Sequence, residues 1–124
     1  MNLRILAAGA ALITLLGSSA PVLSHTTVTG TTPGDGAVLE ASPSVIEIRF
    51  QHAARLTSVM LHHAGEPQRR LEFTPAGSAT EFELTDPRLG PGDNEIEWKA
   101  LSGDGHVISG TLNYTVNSEP AGNN

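Results

Sequence analysis

Two of the five histidines in this 124-residue chain stand where their chemistry could serve a metal ion. His106 follows Asp104 across a single glycine in the stretch "LSGDGHVISG". A D-x-H spacing puts both side chains on one side of an extended segment, or around one sharp bend. A carboxylate oxygen and an imidazole nitrogen can then converge on one ion. The plainer reading is that Asp-Gly is a common hairpin dipeptide and that His106 simply starts the next strand. His25 is the second candidate, in "PVLSHTTV", where an apolar leader gives way to a polar chain. If the chain is cut after Ser24, His25 carries the free α-amine, and amine and imidazole can chelate one metal together. One amine, two imidazoles and a carboxylate make a tetragonal N,O set that suits Cu(II). Zn(II), the main competitor, more often takes a tetrahedral arrangement.

The cut itself is legible. Arg4 supplies a positive start, Ile5 to Leu16 is an apolar core of twelve residues, and small residues follow at Gly17 to Ala20. Twelve residues fall short of the roughly 20 that a membrane-crossing helix needs, so residues 1–24 read as a cleaved secretory signal. Cutting after Ala20 would leave Pro21 first, a poor substrate, whereas Ser24 with Val22 two places before it approximates the small-x-small pattern. The domain is then expected over residues 25–117, with a polar tail, "SEPAGNN", at residues 118–124.

Losing Arg4 leaves six Lys and Arg against 13 Asp and Glu, a formal net charge of −7. That acidity argues against nucleic acid and against an anionic membrane surface, and is compatible with gathering cations. The absence of cysteine excludes disulfides, thiolate metal sites and cysteine nucleophiles. There is no Gly-rich phosphate loop and no G-x-S-x-G elbow.

The elements that must position these residues read as strands. "SVIEIRF" puts Ile46, Ile48 and Phe50 on one face, and Leu56 to Leu61 is a further candidate. Leu71 and Phe73 pair in "RLEF", as do Phe82 and Leu84 in "EFEL". Ile96, Trp98 and Ala100 align in "EIEWKA", with Trp98 expected in the core, and Ile108, Leu112, Tyr114 and Val116 align in the last run. Together with Thr26 to Thr31, these period-2 runs predict an all-β, antiparallel sandwich of about seven short strands.

The chain resembles the CopC-type periplasmic copper-binding proteins of bacterial copper-resistance systems. The likeness lies in a mature N-terminal His, in "TTPGDGAVL" followed by "SPSVIEIRF", and in "LGPGDNEIEWKALSGDGHVISGTLNYTV". It implies a seven-stranded Greek-key sandwich or barrel, cupredoxin- or immunoglobulin-like. It also implies one Cu(II) per chain, held by the amine and imidazole of His25, the Asp104 carboxylate and the His106 imidazole. Two departures stand out. Family members with a second, Cu(I) site use a Met-rich segment, whereas only Met60 follows the leader here. The family usually carries Ser-Glu after the Phe that ends the "IEIRF"-like strand, with that Glu supporting the copper site. Here Gln51-His52 stand there, so His52 takes over that support, binds copper directly, or leaves the amine less well oriented. His62 and His63, without a family counterpart, are expected as a surface loop pair, since adjacent strand residues point to opposite faces.

The function expected from this is a non-enzymatic, monomeric periplasmic protein that sequesters Cu(II) or hands it to a CopD-type membrane partner. Two other readings stand beside it. One is a copper oxidase resembling lytic polysaccharide monooxygenases, which also use an N-terminal histidine. Against it, Asp104 would fill a position that oxygen needs, and one Trp and one Tyr make a poor polysaccharide-binding face. The other is a metal-free sandwich for adhesion or assembly.

Overall fold

The computed structural model describes residues 27–117, which contain eight strands and no helix. They are β1 (Val28–Thr32), β2 (Val38–Leu39), β3 (Val45–His63), β4 (Arg69–Arg70), β5 (Glu72–Thr74), β6 (Ser78–Thr85), β7 (Gly92–Ser102) and β8 (Val107–Val116). The all-β class expected from the period-2 runs is what forms. Its details differ from seven antiparallel strands, and β3 is the main reason.

"SVIEIRF" and Leu56 to Leu61 are one strand of 19 residues, not two. Its first half is flanked by β1 and β6, and its second half by β4 and β7. The sheet, ordered β2-β8-β7-β3-β6-β5, therefore curls on β3 into two layers around one core. Two local irregularities let one strand serve both layers. At Gln51 to Ala53 all three residues are exposed, and the pairing with β6 jumps from Arg49 opposite Glu81 to Ala54 opposite Ala79. At Thr57 a bulge adds one residue against β7, between Leu56 opposite Ala100 and Ser58 opposite Lys99.

That extra residue decides which side chains are buried. Even-numbered Ile46, Ile48, Phe50, Ala54 and Leu56 face the core before the bulge, and odd-numbered Val59 and Leu61 face it afterwards. A one-residue change of register moves every following side chain to the other face, so the bulge keeps the apolar set inside. The Thr57 hydroxyl donates to the Lys99 carbonyl at 3.1 Å, securing it. Across the core, the Phe50 ring meets Phe82 and Trp98 edge-on at centroid distances of 5.9 and 5.4 Å. Trp98, Ile96 and Ala100 are buried as their alternation predicts.

The second departure is a parallel pair. Val38 and Leu39 of β2 lie beside Thr115 and Val116 of β8. The segment before β2 joins in: Gly36 N donates to the Asn113 carbonyl and Asn113 N donates to Asp35 Oδ1, both at 2.7 Å. Two residues are too few for any period to register in the sequence. Likewise "RLEF" divides at buried Leu71, whose amide donates to the Val59 carbonyl between β4 and β5.

Deleting Thr57 should turn Val59 and Leu61 outward and cost about 3–6 kcal/mol, much of the stability of a domain this size. Thr57→Ala, which keeps the register, should cost under about 1 kcal/mol. Urea unfolding of the two variants measures the difference.

Candidate metal centre

β7 ends at Ser102 and β8 begins at Val107, so Gly103 to His106 form the turn that joins them. The turn is closed by the backbone: Ser102 N donates to the His106 carbonyl and Gly105 N to the Ser102 carbonyl, both at 2.9 Å. Gly105 lies at φ +90°, a conformation that L side chains rarely adopt. Of the two arrangements open to a D-x-H spacing, the protein uses the sharp bend.

The bend brings the two side chains together. His106 Nδ1 stands 3.1 Å from Asp104 Oδ2. The other carboxylate oxygen, Oδ1, accepts a hydrogen bond from the Ser102 hydroxyl and one from the His106 amide at 3.1 Å. The Ser102 hydroxyl holds the Asp104 carboxyl well below the usual carboxylate range; burial opposes this, and His106 adds to the lowering. The carboxylate's stabilising effect on the turn is therefore present above that range and lost only as pH falls through the lowered value. Asp104 is mostly covered, with 16% of its side chain exposed, whereas His106 is 70% exposed.

The separation of Asp104 Oδ2 and His106 Nδ1 is compatible with two ligands of one metal. With bonds of about 2 Å, neighbouring ligands stand about 2.9 Å apart at a right angle and about 3.3 Å apart at a tetrahedral angle. The observed 3.1 Å lies between them. Among the described residues no group of three or more His, Cys, Asp or Glu forms a metal site, so Asp104 and His106 make a pair that needs further donors.

His25 lies outside the described residues. The described chain nevertheless starts at this end of the molecule, because Gln51 N donates to the Thr27 carbonyl at 2.8 Å and Val28 pairs with Phe50. Three residues on from Gln51, Ala54 pairs with Ser102. The exposed crossing in β3, with His52 at its centre, thus connects the start of β1 to the Asp104 turn.

His62 and His63 are not a loop pair; they are the last two residues of β3, opposite Glu95 and Asn94. They do point to different sides. His62 Nε2 stands 3.4 Å from Glu97 Oε1, while His63 Nε2 lies 2.8 Å from the Pro91 carbonyl. Nine residues of strand, about 30 Å, separate His63 from Ala54, which places both far from Asp104. Met60 sits in the same half of β3, opposite Arg70 and Glu97. Ser102 stands in the S-x-D-G-H run of the sequence, but motif reading gave it no role. Its only signal is position, since a hydroxyl two residues before an aspartate can reach back to its carboxylate.

Residues 28–117 match the family model of the CopC domain. The crystal structure of CopC from Methylosinus trichosporium OB3b is similar, with a TM-score of 0.63 at 22% identity, covering 75% of this chain and 94% of that one. PcoC, a methionine-rich copper resistance protein from Escherichia coli, gives a TM-score of 0.56 at 19% identity, covering 75% of this chain and 99% of the other. At these identities the structural likeness is one of fold. Among curated proteins none matches the sequence. With one domain model accounting for most of its length, the chain belongs to the CopC family.

Proposed function

We propose that this protein is a periplasmic copper carrier or buffer that binds one Cu(II) and either sequesters it or passes it to a CopD-type membrane partner. The observation that carries the reading is the 3.1 Å approach of Asp104 Oδ2 and His106 Nδ1, a spacing ready for one metal. Cleavage after Ser24 would release the amine of His25, which with its imidazole completes an amine, two-imidazole and carboxylate set. His25 precedes Thr27 by two residues, which span at most about 7 Å, and Thr27 is bonded to Gln51 at the start of the β3 crossing that leads to Ser102. His52, in place of the family's usual Glu, either supports the site or adds a further ligand to it. The reading is of a monomer with no catalytic step.

The ligands also set the oxidation state. Imidazole, amine and carboxylate favour Cu(II), and soft sulfur ligands favour Cu(I). The chain has two methionines, Met1 and Met60, and no cysteine, so it cannot assemble a cluster of thioethers or thiolates. Copper held here has no easy route to Cu(I), which suits storage and transfer better than redox cycling.

Intact mass of the exported protein, with Cu(II) titration followed by EPR, tests this directly. The expected result is a mature start at His25 and a one-to-one type 2 copper signal; a different start or no such signal overturns the carrier reading. Leaving one extra residue before His25 should weaken binding at least tenfold, because an amide replaces the amine, and unchanged affinity would show that the amine is not a ligand. Acidification should release copper, because protons compete with the metal for its nitrogen ligands. An EPR signal unchanged between pH 7 and pH 4 contradicts this.

A further inference from the structure

Ser102 is a buried polar residue at the end of a core strand, 4% exposed, and all of its polar groups are used by the turn. Its amide donates to the His106 carbonyl and its carbonyl accepts from Gly105 N. Its hydroxyl, with one proton to give, stands against Asp104 Oδ1 and lies 3.2 Å from the His106 carbonyl, the longer of the two contacts. The proton therefore goes to the carboxylate. The His106 amide donates to the same oxygen at 3.1 Å.

Two donors on one carboxylate oxygen fix the plane of the group and spend that oxygen's lone pairs. The other oxygen is the one turned toward His106 Nδ1. We propose that Ser102 is a positioning residue that presents Asp104 to the metal through Oδ2 alone, with His106 Nδ1 as its neighbouring ligand. This rests on the copper-binding reading above and adds to it a coordination mode. With the hydroxyl removed, Oδ1 loses one of its two donors and the plane of the carboxylate is less firmly set. The group can then turn about its Cβ–Cγ bond and offer either oxygen, or both at once.

The strand that carries Ser102 fits this role. Ser102 pairs with Ala54, directly after the exposed crossing of β3, so its backbone is fixed from the core side while the turn beyond it is exposed. The carboxylate is thus anchored to the paired end of β7 through Ser102. Hydrogen bonds from residues that orient a ligand typically change metal affinity 10–100-fold when removed.

The test compares wild type, Ser102→Ala and Ser102→Thr by Cu(II) competition titration and EPR, with thermal unfolding of the metal-free proteins alongside. The expected result is at least tenfold weaker binding and altered copper hyperfine splitting in Ser102→Ala, with both restored by the hydroxyl of Ser102→Thr. X-ray absorption of the copper-loaded wild type, which needs no variant to fold, should find one carboxylate oxygen at the metal. Two oxygens, or a Ser102→Ala protein with unchanged affinity and spectrum, overturns the proposal while leaving copper binding intact. A wild type that takes up no Cu(II) overturns the copper reading itself and this inference with it.

Discussion

One strand has to satisfy two layers, and the rest of the molecule follows from how β3 does so. A strand with one buried face must keep its apolar residues on that face, yet β3 passes from the β1–β6 side to the β4–β7 side within 19 residues. The crossing at Gln51 to Ala53 leaves both layers momentarily, and the bulge at Thr57 resets the alternation for the second layer. Because the crossing is exposed, nothing apolar is lost there. It is also where the first described residue of the chain docks, through Thr27 and Gln51, and where β7 ends, through Ala54 and Ser102. The interruption that the core requires thus lies between the start of β1 and the turn that carries Asp104 and His106.

A site made in this way uses few residues. Asp104 and His106 come from a single turn, so their separation is set by local backbone geometry and by one buried hydroxyl, not by long-range packing. Long-range packing sets only where that turn lies relative to the start of β1. The division has a chemical advantage: small shifts between the layers would move the turn as a unit without changing the spacing between its two donors. The contrast between the covered carboxylate and the exposed imidazole also gives the turn a fixed side and an accessible side.

Much of this was legible in the residues. Alternation in "SVIEIRF", "EFEL" and "EIEWKA" marked the buried faces correctly because each of those runs lies wholly within one layer. The same rule failed at β3, where three exposed residues and a change of parity look like the end of one strand and the start of another. It failed again at β2, which is held by neighbours on β8 and by Asp35 and has too little length to carry a pattern. His62 and His63 resembled a polar loop because sequence cannot tell a strand's final residues from the turn that follows. At the candidate centre, Asp104 and His106 stood out because carboxylate and imidazole side chains at that spacing are chemically distinctive. The role of Ser102 did not, since a serine next to a glycine is what any hairpin end contains, and its burial is known only from the fold.

The parallel pairing of β2 with β8 has a consequence for how the protein behaves among its own copies. β8 would otherwise end the sheet with a row of unpaired amides and carbonyls, the kind of edge on which chains stack into aggregates. Residues 35–39 lie along that edge from Asn113 onward: Thr115 N donates to the Ala37 carbonyl and Asn117 N to the Leu39 carbonyl, at 3.0 and 2.8 Å. Two residues of strand and one aspartate thus cover that edge over the last four residues of β8, Asn113 to Val116, a guard against edge-to-edge stacking that consists almost wholly of backbone.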